Sequence, residues 1–181
     1  MTLRTNDKDW LLTVGTVVLI FAELAFALLQ VAFVIGLVGL LTFARERVLA
    51  ELAAAAAPDE SFIAIVAMLG LAWLTLGLCM LFVRHLRGVV DSVGRGDPFE
   101  SANATRLTRM AWFALGVQAC QFAIAPLLAT YGGYASALGG DGFAPGNDAS
   151  LTALALAVTL FILARVFRKG AEMRADLEGT V

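Results

Sequence analysis

The sequence predicts an all-α, polytopic integral membrane protein with four transmembrane helices and both termini cytoplasmic. Three observations carry that expectation. Of the 181 residues, 60% are hydrophobic and only 15% charged, with a mean hydropathy of +0.82; a soluble domain is usually about 45–50% apolar and about 25% charged. The apolar residues fall into four long runs without the alternation of barrel strands. The basic residues are distributed very unevenly among the segments between those runs. The chain is long enough for four membrane helices and little else, so it reads as one domain over 1–181, with helices at about 10–44, 62–85, 107–131 and 150–168.

The first run, Trp10 to Ala44, is broken only by Glu23 and Gln30. It is far longer than the roughly 7–15 apolar residues of a secretory signal core. At 1.5 Å per residue it also exceeds the roughly 30 Å hydrocarbon core, so it must tilt or project. The alanine-rich stretch Arg45 to Ala57 favours helix and Pro58 ends it, which suggests that the projection continues as an extramembrane helix. Whether the first helix bends at Gly36 or Gly39, or runs on as one rod, is left open. The second run, Phe62 to Val83, follows good helix-start residues at Pro58 to Ser61. The third runs from Met110 to about Tyr131. The fourth, Leu151 to Ala164, reaches Phe167 if Arg165 snorkels to the interface.

Orientation follows from the 13 Lys and Arg residues. All but Arg45 and Arg47 lie in the N-terminal tail, in segment 86–106 with its flanks, or in the C-terminal tail. The positive-inside rule then places both termini and loop 86–106 in the cytoplasm, with outer loops 45–61 and 132–149. The glycine-rich stretch of the last loop reads as flexible, with Tyr131 and Tyr134 as interfacial aromatics.

Composition also excludes functions. Cys79, Cys120 and His85 are too few for a zinc site or a haem with two histidine ligands. The thiols read as small buried apolar residues. No nucleophile–base pair is visible, so neither a cofactor, a metal nor an enzymatic activity is expected. A net charge of −2 gives no case for direct nucleic-acid binding.

Two sets of residues stand out. In the membrane, Thr16, Glu23 and Gln30 repeat every seven residues and share a stripe that should face the bundle. Counted from an inner edge near Leu11, Glu23 lies roughly 18 Å deep; Gln118 and Gln121 lie roughly 12 and 17 Å deep. Glu23 is therefore expected to meet Gln121, with Gln118 or Thr75 nearby. It either holds helices together by a hydrogen bond or serves as the titrating group of a proton- or cation-linked transporter or channel. On the inner side, Gly94-Arg95-Gly96 gives a flexible turn. Asp97 suits a helix N-cap, Pro98 the first helical position, and Glu100 closes a capping box. Phe99 would anchor the entrance segment at the inner surface. The exit tail carries Arg165, Arg168 and Lys169 against anionic lipid, then Glu172, Asp176, Leu177 and Glu178.

Gly96-Asp97-Pro98-Phe99 with Asn103 and Leu107, and the tail from Val166 to Val181, resemble a family of small bacterial four-helix membrane proteins known as domain of unknown function 2975. The likeness covers most of the chain, with its specificity in these two segments; the long first helix is less typical. The resemblance implies no established catalytic activity. It implies a place as the membrane half of a gene pair whose other half resembles a small helix-turn-helix transcription factor. The expected function is thus a membrane regulatory protein that binds or restrains that factor at the inner face. The candidate partner-binding residues are Asp97, Pro98, Phe99, Asn103, Arg168, Glu172, Asp176, Leu177 and Glu178. The bilayer is the other partner, and the sequence also allows a homo-oligomer.

Overall fold

The computed structural model describes residues 6–137 and 149–178. Its elements are all helical. Helix α1 spans Asn6–Gly39 and passes through a π-helical turn, Leu40–Ala44, into α2, Arg45–Ala54. Helices α3 (Ser61–Gly94), α4 (Ser101–Ala137) and α5 (Ala149–Glu178) follow. Four stretches are long and apolar enough to cross a membrane: Leu12–Ala54, Ser61–Gly94, Ser101–Tyr134 and Leu151–Leu177.

The order of packing is the order of the chain. α1 lies on α3, α3 on α4, and α4 on α5. The core is built where the last three meet, from Leu107, Met110 and Ala111 of α4 and Leu160 and Ala164 of α5. Phe82, Leu86, Phe161 and Phe167 close over it. Two aromatic edges, His85 on Phe113 at 5.3 Å and Trp112 on Phe161 at 5.6 Å, brace the same region. His85 also bonds its Nδ1 to the Leu81 carbonyl at 2.8 Å. The lone histidine is thus a packing residue.

The helices outrun their apolar stretches. α3 continues through residues 86–94, so most of the segment expected as loop 86–106 is helix and the connection is only 95–100. α4 runs on to Ala137, which makes Gly132 and Gly133 helical. The rest of that glycine-rich loop lies outside the described residues. α5 continues beyond Ala164 to Glu178 without breaking at Gly170. Pro126 sits inside α4 without ending it. In each case hydrophobicity marks what lipid selects, whereas helix length is set by stop signals. Two such stops are explicit. At the end of α3, Gly96 takes φ +81°, its N–H meets the Val93 carbonyl at 3.0 Å, and the Asp97 N–H meets the Ser92 carbonyl at 3.1 Å. This is a Schellman stop. The same pair of bonds ends α2, from Ala56 to Ala53 at 3.1 Å and from Ala57 to Leu52 at 3.0 Å, with Ala56 at φ 51°.

The π-helical turn answers the question about the first helix. The chain neither breaks at Gly36 nor stops at Gly39; it inserts one wide turn and goes on as α2. A wide turn shifts the helix face that follows. After it, the Arg45 guanidinium sits 6.0 Å from the Phe62 ring centre, and Leu52 is buried as α2 meets the start of α3.

Candidate functional site

α3, α4 and α5 leave the apolar region together at the end rich in arginine. From Val83 to Gly94 and from Ala164 to Glu178 the helices advance about 16 and 21 Å; from Met110 back to Ser101 the distance is about 14 Å. These extensions and the 95–100 turn form a small three-helix head, which contains the motifs singled out in the sequence.

The head is tied by one buried amide. Asn103 is fully buried. Its Nδ2 donates to Ser92 Oγ at 2.5 Å and to the Pro98 carbonyl at 3.0 Å, and its Oδ1 accepts from Arg106 Nη1 at 2.7 Å. Ser92, also fully buried, donates in turn to the Val89 carbonyl at 2.7 Å. Arg106 reaches across to the Gly88 carbonyl at 3.0 Å, and a Cβ at Gly88 would stand 2.9 Å from its Nε. Glu100 then draws Arg95 (3.2 Å) and Arg106 (3.6 Å) together. Asn103 therefore shapes the turn between α3 and α4, and its amide is fully engaged inside the protein.

The expected capping box does not form. Asp97 to Glu100 make a turn and α4 begins at Ser101, with the Asn103 N–H on the Glu100 carbonyl at 2.9 Å. The Asp97 carboxylate pairs instead with Arg174 of α5. Phe99 packs on α5 as well: its ring lies 5.6 Å from that of Phe167, and Gly170 leaves it room. A Cβ at Gly170 would come within 2.6 Å of Phe99 Cδ1. The turn and the tail thus meet, which no spacing in the sequence requires. Arg168 is exposed, as are Glu172, which pairs with Lys169 at 3.2 Å, and Asp176. Met173 and Leu177 stand one turn apart on α5, 54% and 71% exposed. The side chain of Glu178 lies outside the described residues.

Sequence reasoning missed Ser92, Gly88, Arg106 and Gly170. The available signal was glycine in a helical stretch with no break around it, which marks a close approach of another group.

The intramembrane prediction needs a correction. Glu23 pairs with Arg87 of α3, not with Gln121. Arg87 in turn lies 3.8 Å from Asp91. Gln30 Nε2 donates to the Trp73 carbonyl at 3.3 Å, over the bare Cα of Gly77. Thr16 lines a groove with Asp91 and Gly94. The stripe at spacing seven does face a neighbour, and that neighbour is α3. Thr75 bonds back to the Leu71 carbonyl at 2.8 Å. Gln118 is buried within α4, and Gln121 is half-buried.

The mismatch is one of register. Gly116 meets Leu78, so Gln121 lies five residues to one side of that level and Arg87 nine to the other. Glu23 and Gln121 are therefore about 20 Å apart along the bundle. Glu23 sits roughly 6 Å past the end of the α3 apolar run, where an ion pair is affordable, and residues 10–22 of α1 lie alongside the head. α1 is apolar well beyond the level at which α3 turns polar, so a level counted along α1 alone does not give the residues beside it.

Among the described residues, no three His, Cys, Asp or Glu side chains converge on a metal site. No curated protein and no solved structure matches the chain. Residues 49–181, which hold α3, α4, α5 and the whole head but not α1, match the family described as protein of unknown function DUF2975. The chain belongs to that family.

Proposed function

We propose that this protein spans a bacterial inner membrane with its termini and the three-helix head in the cytoplasm, and that the head binds and restrains a cytoplasmic protein. The basic residues favour that orientation by the positive-inside rule. The observation that carries the binding role is the junction of the 95–100 turn with α5: Asp97 on Arg174 and Phe99 on Gly170 hold the α5 extension against the bundle. That fixes Met173 and Leu177 beside Glu172 and Asp176 on a rigid helix. Exposed apolar side chains flanked by carboxylates suit a small basic partner. The partner in this proposal is a small helix-turn-helix transcription factor, as the resemblance implies. Phe99, Asp97, Pro98 and Asn103 shape the surface; Arg168, Glu172, Asp176 and Leu177 contact the partner. No enzymatic role, cofactor or direct nucleic-acid contact belongs to this proposal.

The test is affinity capture of the detergent-solubilised protein from its native host. A stoichiometric small DNA-binding protein should co-purify, and the variant with both Glu172→Lys and Asp176→Lys should lose it while staying folded. Unchanged capture by that variant would sink the proposal. Orientation is tested separately with a membrane-impermeant thiol reagent on intact spheroplasts. Cysteine at Arg47 should label and cysteine at Arg168 should not. The alternative, a proton- or cation-linked transporter or channel subunit using Glu23, draws less support from a carboxylate that is ion-paired with Arg87.

A further inference from the structure

The outward side of the α1–α3 seam has the shape and chemistry of a phospholipid. At the arginine-rich end, Ile20, Glu23, Leu24 and Ala27 of α1 and Met80, Arg84 and Arg87 of α3 enclose a groove of about 340 Å³. Through Met80 it continues into a second groove of about 570 Å³, walled by Val31, Val34, Ile35, Leu74 and Leu81 among others. Gln30 is the one polar side chain there, and it is turned onto the Trp73 carbonyl. From Arg84 to Leu74 the seam runs about 15 Å, half of the roughly 30 Å hydrocarbon core, which is the depth of one leaflet.

The groove itself is lined by one carboxylate, Glu23, and two guanidiniums, Arg84 and Arg87. Glu23 and Asp91 share Arg87. Arg84, one turn nearer the apolar groove, is exposed and has no ion-pair partner among the described residues. An exposed guanidinium directly above an apolar channel at the membrane edge calls for a phosphate with an acyl chain beneath it.

We propose that one anionic phospholipid of the inner leaflet lies in this seam, its phosphate on Arg84 and the edge of Arg87, and an acyl chain along Met80, Val31 and Leu74. The lipid fills the open side of a helix that packs mainly on α3. This inference rests on the membrane placement proposed above and is independent of any cytoplasmic partner.

The test is native mass spectrometry of the purified full-length protein exchanged with phosphatidylglycerol or phosphatidylcholine. Phosphatidylglycerol should be retained at one per chain in preference to phosphatidylcholine. Arg84→Gln should lower that preference about fivefold, the worth of one basic residue at a membrane surface, while Arg84→Lys keeps most of it. Ala27→Phe, which fills the groove, should abolish retention of both lipids in a protein that remains helical and monodisperse. Equal retention of the two lipids, or an Arg84→Gln protein that binds like the parent, would overturn the site. So would full competition by inorganic phosphate with no effect of Ala27→Phe, which would leave a simple anion site. A chain recovered outside the membrane fraction would sink the membrane reading itself; a membrane-resident chain without lipid preference sinks the lipid site alone.

Discussion

α1 and the three helices that follow it are held by different means. Where α4 meets its neighbours, side chains disappear from the surface: Met110 and Ala111 are buried with Leu107, Leu160 and Ala164. At the head, a buried amide, a serine and an arginine add bonds that can form in only one arrangement. α1 has no buried side chain among its described residues and lies on α3. Its polar ties to α3 include the ion pair from Glu23 to Arg87 and the bond from Gln30 to the Trp73 carbonyl. In lipid there is no hydrophobic force to press such a helix inward, because the tails are as apolar as leucine. Association then depends on close packing and on a few polar contacts. α1 packs less closely than α4 does, with no side chain buried among its described residues, and the family match begins after it. The comparison teaches that the family match and the buried core coincide in the α3–α5 unit with its head, whereas α1 is an attached helix that lies on α3 with no buried side chain among its described residues.

The sharpest way to break the head is Asn103→Ala. It removes a donor from Ser92 Oγ, which keeps its bond to the Val89 carbonyl, and leaves the Pro98 carbonyl and one N–H of the half-buried Arg106 without that partner. A buried group left without its partner costs about 1–3 kcal/mol, more when charged, so the loss should reach about 2–4 kcal/mol. Thermal unfolding of the detergent-solubilised protein measures it. A loss below about 1 kcal/mol would mean that the head is not the rigid part of the molecule.

Gly170→Leu comes next. The side chain would have to displace the Phe99 ring and open the junction between turn and tail, at about 1–3 kcal/mol for overpacking. Phe99→Ala makes room, so the double variant should be less damaged than the sum of the two singles. Additive effects would show that the two residues do not touch.

Breaking the α1 side should cost less. Glu23 and Arg87 keep 20% and 36% of their side-chain surface exposed, so solvent screens them in part. Polar interhelical pairs in membranes couple by about 0.6 kcal/mol on average and about 1.7 at most. A double-mutant cycle of Glu23→Gln and Arg87→Gln should fall in that range. A larger coupling would bring α1 into the cooperative unit and erase the contrast with the head.

How much of this was legible follows from what each signal measures. Apolar runs report which residues tolerate lipid, and they located all four helices. They did not report where α3 and α5 end, because past the membrane a helix continues until a stop signal intervenes. Spacing reported that Thr16, Glu23 and Gln30 share a face, since the helical period is fixed. It could not report which neighbour that face meets, because the axial offset between two helices is set by packing far from either residue. Glu23 was assigned to Gln121 for that reason. The Asp97–Asn103 motif was visible, yet its wiring was not. Asp97 fits an N-cap by type, but the bond to Arg174 comes from a residue 77 positions away that no local rule reaches.

The smallest effect separates two copies of one device. α2 and α3 end in the same pair of backbone bonds, with Ala56 at one stop and Gly96 at the other. A left-handed backbone costs an L-residue with a Cβ roughly 1–2 kcal/mol, and glycine nearly nothing. Gly96 also has open space around the position of a Cβ, so a methyl group there meets no neighbour and only the backbone term remains. Gly96→Ala should therefore destabilise the protein by about 1 kcal/mol, and Ala56→Gly should stabilise it by a similar or smaller amount, because the greater freedom of glycine in the unfolded chain offsets part of the gain. Opposite shifts in the midpoint of thermal unfolding would show that both stops belong to the cooperative structure. A shift at Gly96 with none at Ala56 would place the α2 corner outside it, with α1, and so extend the contrast between the attached helix and the rest to the connection that joins them.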